Sequence, residues 1–311
     1  MENSTDSESQ QQSLPKQTPK RLSQKSIIIV VVLFLVIARI TTVFLGAKNN
    51  NVTSNLNKII VQKSPTPTPK KDEPFGRYTS PKIPKKDVYI IFMVGDSMTE
   101  ALGPHGGKLN EFINMRFQST PGHQRIVIDN YAKGSTNILG LHEAMTKKTI
   151  SGDAVLDPLL SKPFDLLLIE SFGYNPLSQF GLQEGLKKQT QTLDELMRIL
   201  TTTHPHSAIV FVATIAPNKA TFAKEASPGK TPAERETQAE ERMEYIKNHI
   251  SFAKSHKVPL IDIYNKSLTP EGDGDLSNIN PNDHIHPSFK GVDFISQELA
   301  NFIYENQILP R

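Results

Sequence analysis

The feature that most constrains the fold of this chain is a series of five short apolar runs. They occupy residues 88–94, 125–130, 164–170, 208–214 and 258–263. Each run is rich in Val and Ile and apolar on both faces, which is typical of buried parallel strands. The longer stretches between the runs are amphipathic at helical spacing. This alternation predicts an α/β domain over residues 87–311, with a central parallel sheet of about five strands and right-handed crossovers.

A second apolar stretch lies near the N-terminus, at residues 27–47. It is about 20 residues long, the length that a bilayer-spanning helix needs. The basic side chains Lys16, Lys20, Arg21 and Lys25 precede it, and only Lys48 lies close behind it. We therefore expect a single-pass signal anchor in the cell membrane, with residues 1–26 as a disordered cytoplasmic tail and the main domain outside. A cleaved signal peptide and a buried soluble helix are the alternatives.

Residues 48–86 join this stretch to the predicted domain and contain pieces such as SPTPTPKK and SPKIPKK. Because proline fixes φ and removes a backbone donor, we interpret the segment as an extended, disordered linker. The linker carries nine basic and two acidic side chains, whereas acidic side chains outnumber basic ones after residue 86. A mildly acidic domain lacks the basic face that nucleic acids require, so we expect no nucleic-acid partner.

In open parallel sheets the functional site lies beyond the carboxyl ends of the strands, so the residues that follow each run matter most. Ser97 follows the first run in the sequence Gly-Asp-Ser, Gly134 follows the second, and Asn175 follows the third. Asp283 precedes His286 by three residues near the C-terminus. A serine nucleophile needs a base, and a nearby carboxylate can orient an imidazole and stabilise its charged form. The combination predicts acyl-transfer chemistry.

These four blocks resemble those of the SGNH, or GDSL-type, hydrolase family. Ser97 stands in the GDS block, Gly134 in the glycine block, Asn175 in the G-x-N block, and Asp283 and His286 in the D-x-x-H block. The resemblance extends over roughly residues 87–308. Pro176 stands where many members of the family carry Asp, and it restricts the backbone of the preceding residue.

The resemblance implies a flavodoxin-like three-layer α/β/α sandwich and a serine hydrolase that acts on ester bonds. In that mechanism Ser97 is the nucleophile, His286 is the base, and Asp283 orients His286. The N–H groups of Ser97 and Gly134 and the amide of Asn175 form the oxyanion hole. The family's chemistry needs no metal and no organic cofactor.

We therefore expect a membrane-tethered, extracytoplasmic serine esterase that removes acetyl or other short acyl groups. Its partners would be an acylated carbohydrate, another ester or a cell-envelope polymer, and the membrane through the N-terminal helix. One alternative is an acyltransferase that uses the same serine acyl-enzyme. A second alternative is a catalytically inactive binding module with the same fold, against which the intact Ser97, Asp283 and His286 argue.

Two neighbouring features have weaker interpretations. His284 lies beside the Asp283 and His286 pair, and we expect it to contact solvent or a loop rather than to serve as a second base. The Lys- and Pro-rich segment of residues 218–232 follows the fourth run, on the side of the sheet where the site should lie. It is either a contact for the leaving group or an exposed insertion.

Overall fold

Seven strands occur in the part of the chain that the computed structural model describes, residues 74–151 and 154–311. In chain order they are β1 (Val88–Val94), β2 (Arg125–Asn130), β3 (Thr149–Ser151), β4 (Ala154–Leu156), β5 (Leu166–Glu170), β6 (Ala208–Ala213) and β7 (Leu260–Asp262). Five of them form a parallel sheet in the order β2-β1-β5-β6-β7, and β3 and β4 form an antiparallel pair. The structure thus confirms the predicted five-stranded parallel sheet.

The described residues also form seven α-helices. They are α1 (Ser97–Glu100), α2 (Gly107–Gln118), α3 (Leu141–Thr146), α4 (Leu182–Thr203), α5 (Pro232–His256), α6 (Ile263–Lys266) and α7 (Phe289–Glu305). The start of α5 is encoded locally. Thr231 accepts the Glu234 N–H, the Glu234 side chain accepts the Thr231 N–H, and Pro232 occupies the first turn.

The helices lie on both faces of the sheet, because each central strand is buried on both sides. In β1, Tyr89 and Ile91 pack into one core cluster with α2 and α7. Phe92 and Val94 point the opposite way, into a second cluster with α3 and α4. The same alternation continues through β5 and β6. The domain therefore has three layers, α/β/α.

The strand order places a crevice at the carboxyl edge of the sheet. Counting only the sheet strands, the order is 2-1-3-4-5, which is the flavodoxin-like arrangement. The connection from β1 leads to β2 on one side, and the chain then crosses to β5 on the other side of β1. The loops that leave β1 and β5 therefore diverge, and ligands bind at such a switch point.

The predicted tail, the predicted anchor at residues 27–47 and the linker up to residue 73 lie outside the described residues. Within residues 74–151 and 154–311, no helix has the length and apolar character that crossing a bilayer requires.

The last part of the predicted linker packs against the domain. Tyr78 is buried, its N–H donates to the His256 carbonyl at 2.7 Å, and its hydroxyl accepts the Ile209 N–H at 2.8 Å. Ile83 is also buried in the core, and Lys86 forms an ion pair with Asp165. The short strand β7 does not reach Ile209 of β6, so the Ile209 N–H needs another acceptor. The Tyr78 hydroxyl supplies it, and the packed region therefore begins upstream of residue 87.

Substitutions at Tyr78 test this packing. Tyr78→Phe removes the acceptor of a buried N–H, and we expect the free energy of unfolding to fall by about 1–3 kcal/mol. Tyr78→Ala also removes the ring, and we expect a loss of about 3–5 kcal/mol. Urea unfolding measures both. Arg77→Ala is the exposed control, with an expected change within about 0.5 kcal/mol. An unchanged stability for Tyr78→Ala would show that the segment does not pack on the domain.

Candidate active site

Ser97 begins helix α1, three residues after the last residue of β1. Asp96 caps this helix, and its Oδ1 accepts the Met98 N–H at 2.9 Å. Gly95 makes the tight turn sterically possible. A Cβ at this position would lie 2.5 Å from Thr99 Oγ1 and 2.8 Å from Glu170 Cβ, closer than real Cβ contacts allow. The local sequence therefore places the Ser97 side chain at the carboxyl edge of the sheet.

Asp283 and His286 lie on one turn before α7 and are in direct contact. His286 Nδ1 lies 2.9 Å from Asp283 Oδ2, while Asp283 Oδ1 accepts the N–H groups of Ile285 and His286 at 2.8 and 3.0 Å. Partial burial raises the pKa of the Asp283 carboxyl, but these hydrogen bonds outweigh burial and leave the pKa below its ordinary value. Asp283 is therefore ionised at neutral pH and can hold the imidazole in one tautomer.

His284 points away from this pair. Its Nδ1 contacts Glu225 Oε2, and its carbonyl accepts the Ala223 N–H at 3.2 Å. The residue has a φ of 53°, and Glu225, which its ring contacts, belongs to the loop of residues 218–232. The contact agrees with the expectation that His284 binds a loop.

One cavity of about 460 Å³ brings the four sequence blocks together. Its walls include Ser97 after β1, Gly134 after β2, Asn175 after β5, and His286 before α7. Asp283 supports His286 from behind through the 2.9 Å contact. The segment of residues 218–232 also reaches this cavity, through the side chains of Phe222, Ala223, Ser227 and Lys230.

The backbone N–H of Gly134 has a partner that the sequence did not reveal. It donates to Glu100 Oε2 at 2.9 Å, across 34 residues of sequence, and Glu100 also lines the cavity. A Cβ built on Gly134 would lie 3.7 Å from Ser97 Cβ, so the two predicted oxyanion donors are close neighbours. Glu100 therefore already occupies the Gly134 N–H.

Asn175 lies near the buried carboxyl of Asp96, and its own N–H donates to the Phe172 carbonyl at 3.2 Å. The Asn175 side chain and the Tyr174 N–H lie beside the buried Asp96 carboxyl and favour its charged form, although burial raises its pKa overall. Asp96 in turn donates its own N–H to Glu170 Oε2 at 3.3 Å. Burial, together with the Asp96 charge, raises the pKa of Glu170 well above its ordinary value. Because two adjacent buried carboxyls do not readily both ionise, we expect the pair to carry a single negative charge.

Glu170 also shapes the turn that presents Asn175. Its Oε2 accepts the Phe172 N–H at 3.0 Å, and Phe172 has a φ of 54°. Left-handed backbone is costly for a bulky side chain and persists only where surrounding contacts hold it. The next residue is Gly173, whose backbone lies very close to helix α5. A Cβ on this residue would lie 2.4 Å from Ile246 Cγ1, so a side chain does not fit there.

Sequence reasoning missed Glu100, Glu170 and Arg242, all of which lie in or directly below this site. Glu170 carried a usable signal, because it is an acidic residue at the end of an apolar run. Glu100 and Arg242 carried none, since each resembles an ordinary polar residue on a helix.

A second cavity, of about 210 Å³, lies next to the first. Lys133 and Thr136 line it, whereas the intervening Gly134 and Ser135 line the larger cavity. The second cavity contains neither Ser97 nor His286, so the predicted chemistry belongs to the larger one.

No protein-family model matches the chain, and no curated protein matches it either. Among solved structures, the chain is similar to a protein from Parabacteroides merdae described as a GDSL-like lipase. The TM-score is 0.50 at 15% identity, over 74% of this chain and 100% of that one. An SGNH hydrolase from Slackia heliotrinireducens aligns with a TM-score of 0.43 at 16% identity, over 70% and 99% of the two chains. An acetyl xylan esterase aligns with a TM-score of 0.47 at 14% identity, over 68% of this chain and 98% of that one. The first of these likenesses shows a shared fold.

Proposed function

We propose that this protein is a membrane-tethered, extracytoplasmic serine esterase. It removes acetyl or other short acyl groups from carbohydrate or from a cell-envelope polymer. The observation that carries the proposal is the single cavity lined by Ser97, Gly134, Asn175 and His286, with Asp283 hydrogen-bonded to the imidazole.

In the proposed reaction, Ser97 Oγ attacks the ester carbonyl carbon while His286 takes the hydroxyl proton. Asp283 holds the ring through its 2.9 Å contact with Nδ1 and stabilises the imidazolium that forms. The proton then passes from His286 to the departing alcohol, which leaves an acyl group on Ser97. Water, deprotonated by His286, attacks the acyl carbon and releases the acid and the free serine.

The oxyanion of the tetrahedral intermediate would be held by the N–H groups of Ser97 and Gly134 and by the Asn175 amide. Losing one such donor typically costs about 2.7–4 kcal/mol of transition-state stabilisation. Since Glu100 Oε2 accepts the Gly134 N–H, a substrate oxygen must displace this carboxylate to reach the donor. The resting site therefore has one oxyanion donor occupied by the protein itself.

The tether and the location are proposed from the sequence. Residues 27–47 have the length and apolar character of a membrane anchor, and the basic side chains before them favour a cytoplasmic N-terminus. A Pro- and Lys-rich linker then leads to the domain outside the membrane. The anchor and the linker would hold the domain near the membrane, within reach of an acylated polymer at the cell surface.

Ester hydrolysis by the full-length protein tests the function. We expect 4-nitrophenyl acetate to be hydrolysed faster than the octanoate ester, and acetate to be released from acetylated oligosaccharides. Ser97→Ala should lower kcat by about 10⁴-fold or more. Ser119→Ala, an exposed serine at the end of α2, is the matched control and should leave the rate unchanged.

Equal rates for wild type and Ser97→Ala would refute the assignment of the nucleophile. Transfer of acetyl to an added alcohol in place of water would instead identify an acyltransferase that uses the same acyl-enzyme. A stable, folded protein that turns over no ester would leave the binding module as the better account.

The contact between Glu100 and Gly134 generates a second prediction. Glu100→Ala frees the Gly134 N–H and removes a negative charge from the wall where an oxyanion develops. We expect kcat/KM for 4-nitrophenyl acetate to rise about 3–10-fold. Glu111→Ala, which removes an exposed carboxylate on α2, is the control. A fall in kcat/KM for Glu100→Ala would mean that Glu100 helps to bind the substrate rather than compete with it.

A further inference from the structure

Arg242 is a largely buried cation on the wall of the catalytic cavity. It projects from α5, and its guanidinium lies 4.8 Å from the centre of the Phe222 ring. Only 18% of its side chain is exposed. Burial lowers its pKa, because removal from water disfavours the charged form. A guanidinium nevertheless stays protonated in proteins, so the cavity wall carries a fixed positive charge.

Glu241 and the buried Asp96 are the acidic groups that act on this guanidinium, and neither forms a close ion pair with it. Nη1 donates to the Gln238 carbonyl at 2.8 Å, and the ion pair with Glu241 is long, at 4.0 Å. Glu241 also accepts a hydrogen bond from Ser178 Oγ at 2.9 Å. Within the described residues, the buried Nε of Arg242 has no hydrogen-bond partner. Buried charges are normally paired closely, because desolvation is expensive without such pairing.

A second cation, Lys230, lines the same cavity from the loop before α5. Its side chain is exposed, and within the described residues it forms no ion pair. The backbone around it is anchored, since its N–H donates to the Ser227 carbonyl at 3.1 Å and its carbonyl contacts Arg235 Nη1. Glu100 is the acidic side chain on the cavity wall, and it is engaged by the Gly134 N–H.

We propose that the substrate carries an anionic group, a carboxylate or a phosphate, close to the ester that is cleaved, and that Arg242 and Lys230 bind this group. The proposal rests on the proposed esterase function and names its substrate class: an acylated acidic carbohydrate. The planar guanidinium can grip two oxygens of a carboxylate or phosphate at once, and Lys230 adds a point charge. The acidic group fixes the orientation of the sugar and so brings the acyl carbon to Ser97.

Three substrates test the proposal with the full-length protein: an O-acetylated uronic acid oligosaccharide, its carboxyl-reduced neutral counterpart, and an O-acetylated sugar phosphate. We expect kcat/KM for at least one acidic substrate to exceed that for the neutral counterpart about 10–100-fold, as charge-assisted hydrogen bonds predict. Comparing the two acidic substrates distinguishes a carboxylate from a phosphate. Acetate release measures all three.

The variants separate recognition from folding. Arg242→Lys keeps a cation but loses the two-pronged geometry, and Lys230→Gln removes an exposed charge. Each variant should lower the ratio of acidic to neutral kcat/KM about tenfold. The control is Lys224→Gln, which changes an exposed lysine of the same loop that does not line the cavity. It should leave that ratio unchanged. A wild-type ratio near one, or a ratio that neither variant alters, would overturn the proposal.

Binding to Ser97→Ala keeps this inference separable from the esterase proposal. In calorimetry we expect the deacetylated acidic oligosaccharide to bind at least about tenfold tighter than the neutral one, with an affinity that falls as salt is added. Acidic selectivity without turnover by the wild type would support the anion site and refute the esterase. Turnover without acidic selectivity would refute the anion site alone. The absence of both binding and turnover would refute both proposals.

Discussion

The candidate site depends on a pair of buried carboxyl groups at the ends of two neighbouring strands. Asp96 follows β1, and Glu170 ends β5, and the two are linked by the hydrogen bond from the Asp96 N–H to Glu170 Oε2. Both are fully buried in the carboxyl edge of the sheet, where a lone charge would be expensive. Their polar contacts therefore have to be supplied locally, and those contacts shape the two loops that carry Ser97 and Asn175.

Each carboxyl organises one side of the crevice. Asp96 caps the short helix that begins at Ser97 and faces the Asn175 side chain. Glu170 accepts the N–H of Phe172 and so holds that residue in left-handed backbone. The turn that carries Ser97 and the turn that carries Asn175 are thus tied to each other beneath the cavity.

The sheet was predictable from the sequence because its signals are local. The runs at 88–94 and 125–130 match β1 and β2, since charged or turn residues bound each apolar run. The strand at the predicted run 258–263 is shorter than expected. It covers only β7, Leu260–Asp262, because Pro259 lacks a backbone donor. The Asp283 and His286 contact was also predictable, since three residues separate the two side chains on one turn.

Other parts of the site depend on tertiary contacts that no local pattern encodes. Glu100 meets Gly134 across 34 residues, and Tyr78 meets Ile209 across 131. Arg242 lies on α5, and the apolar residues of this helix predict only that the helix packs on the core. Its place on the cavity wall depends on how the fold positions α5. The charge that the cavity presents to a ligand is therefore a property of the fold and could not be derived from the motifs.

The most direct test of this account is covalent labelling of the full-length protein by a fluorophosphonate, followed by peptide mapping. The account predicts a single adduct, located on Ser97, that is absent from Ser97→Ala and forms about 10⁴-fold more slowly in Asp283→Asn. An adduct on a different serine, or none on a folded protein, would contradict the claim that His286 and Asp283 activate Ser97.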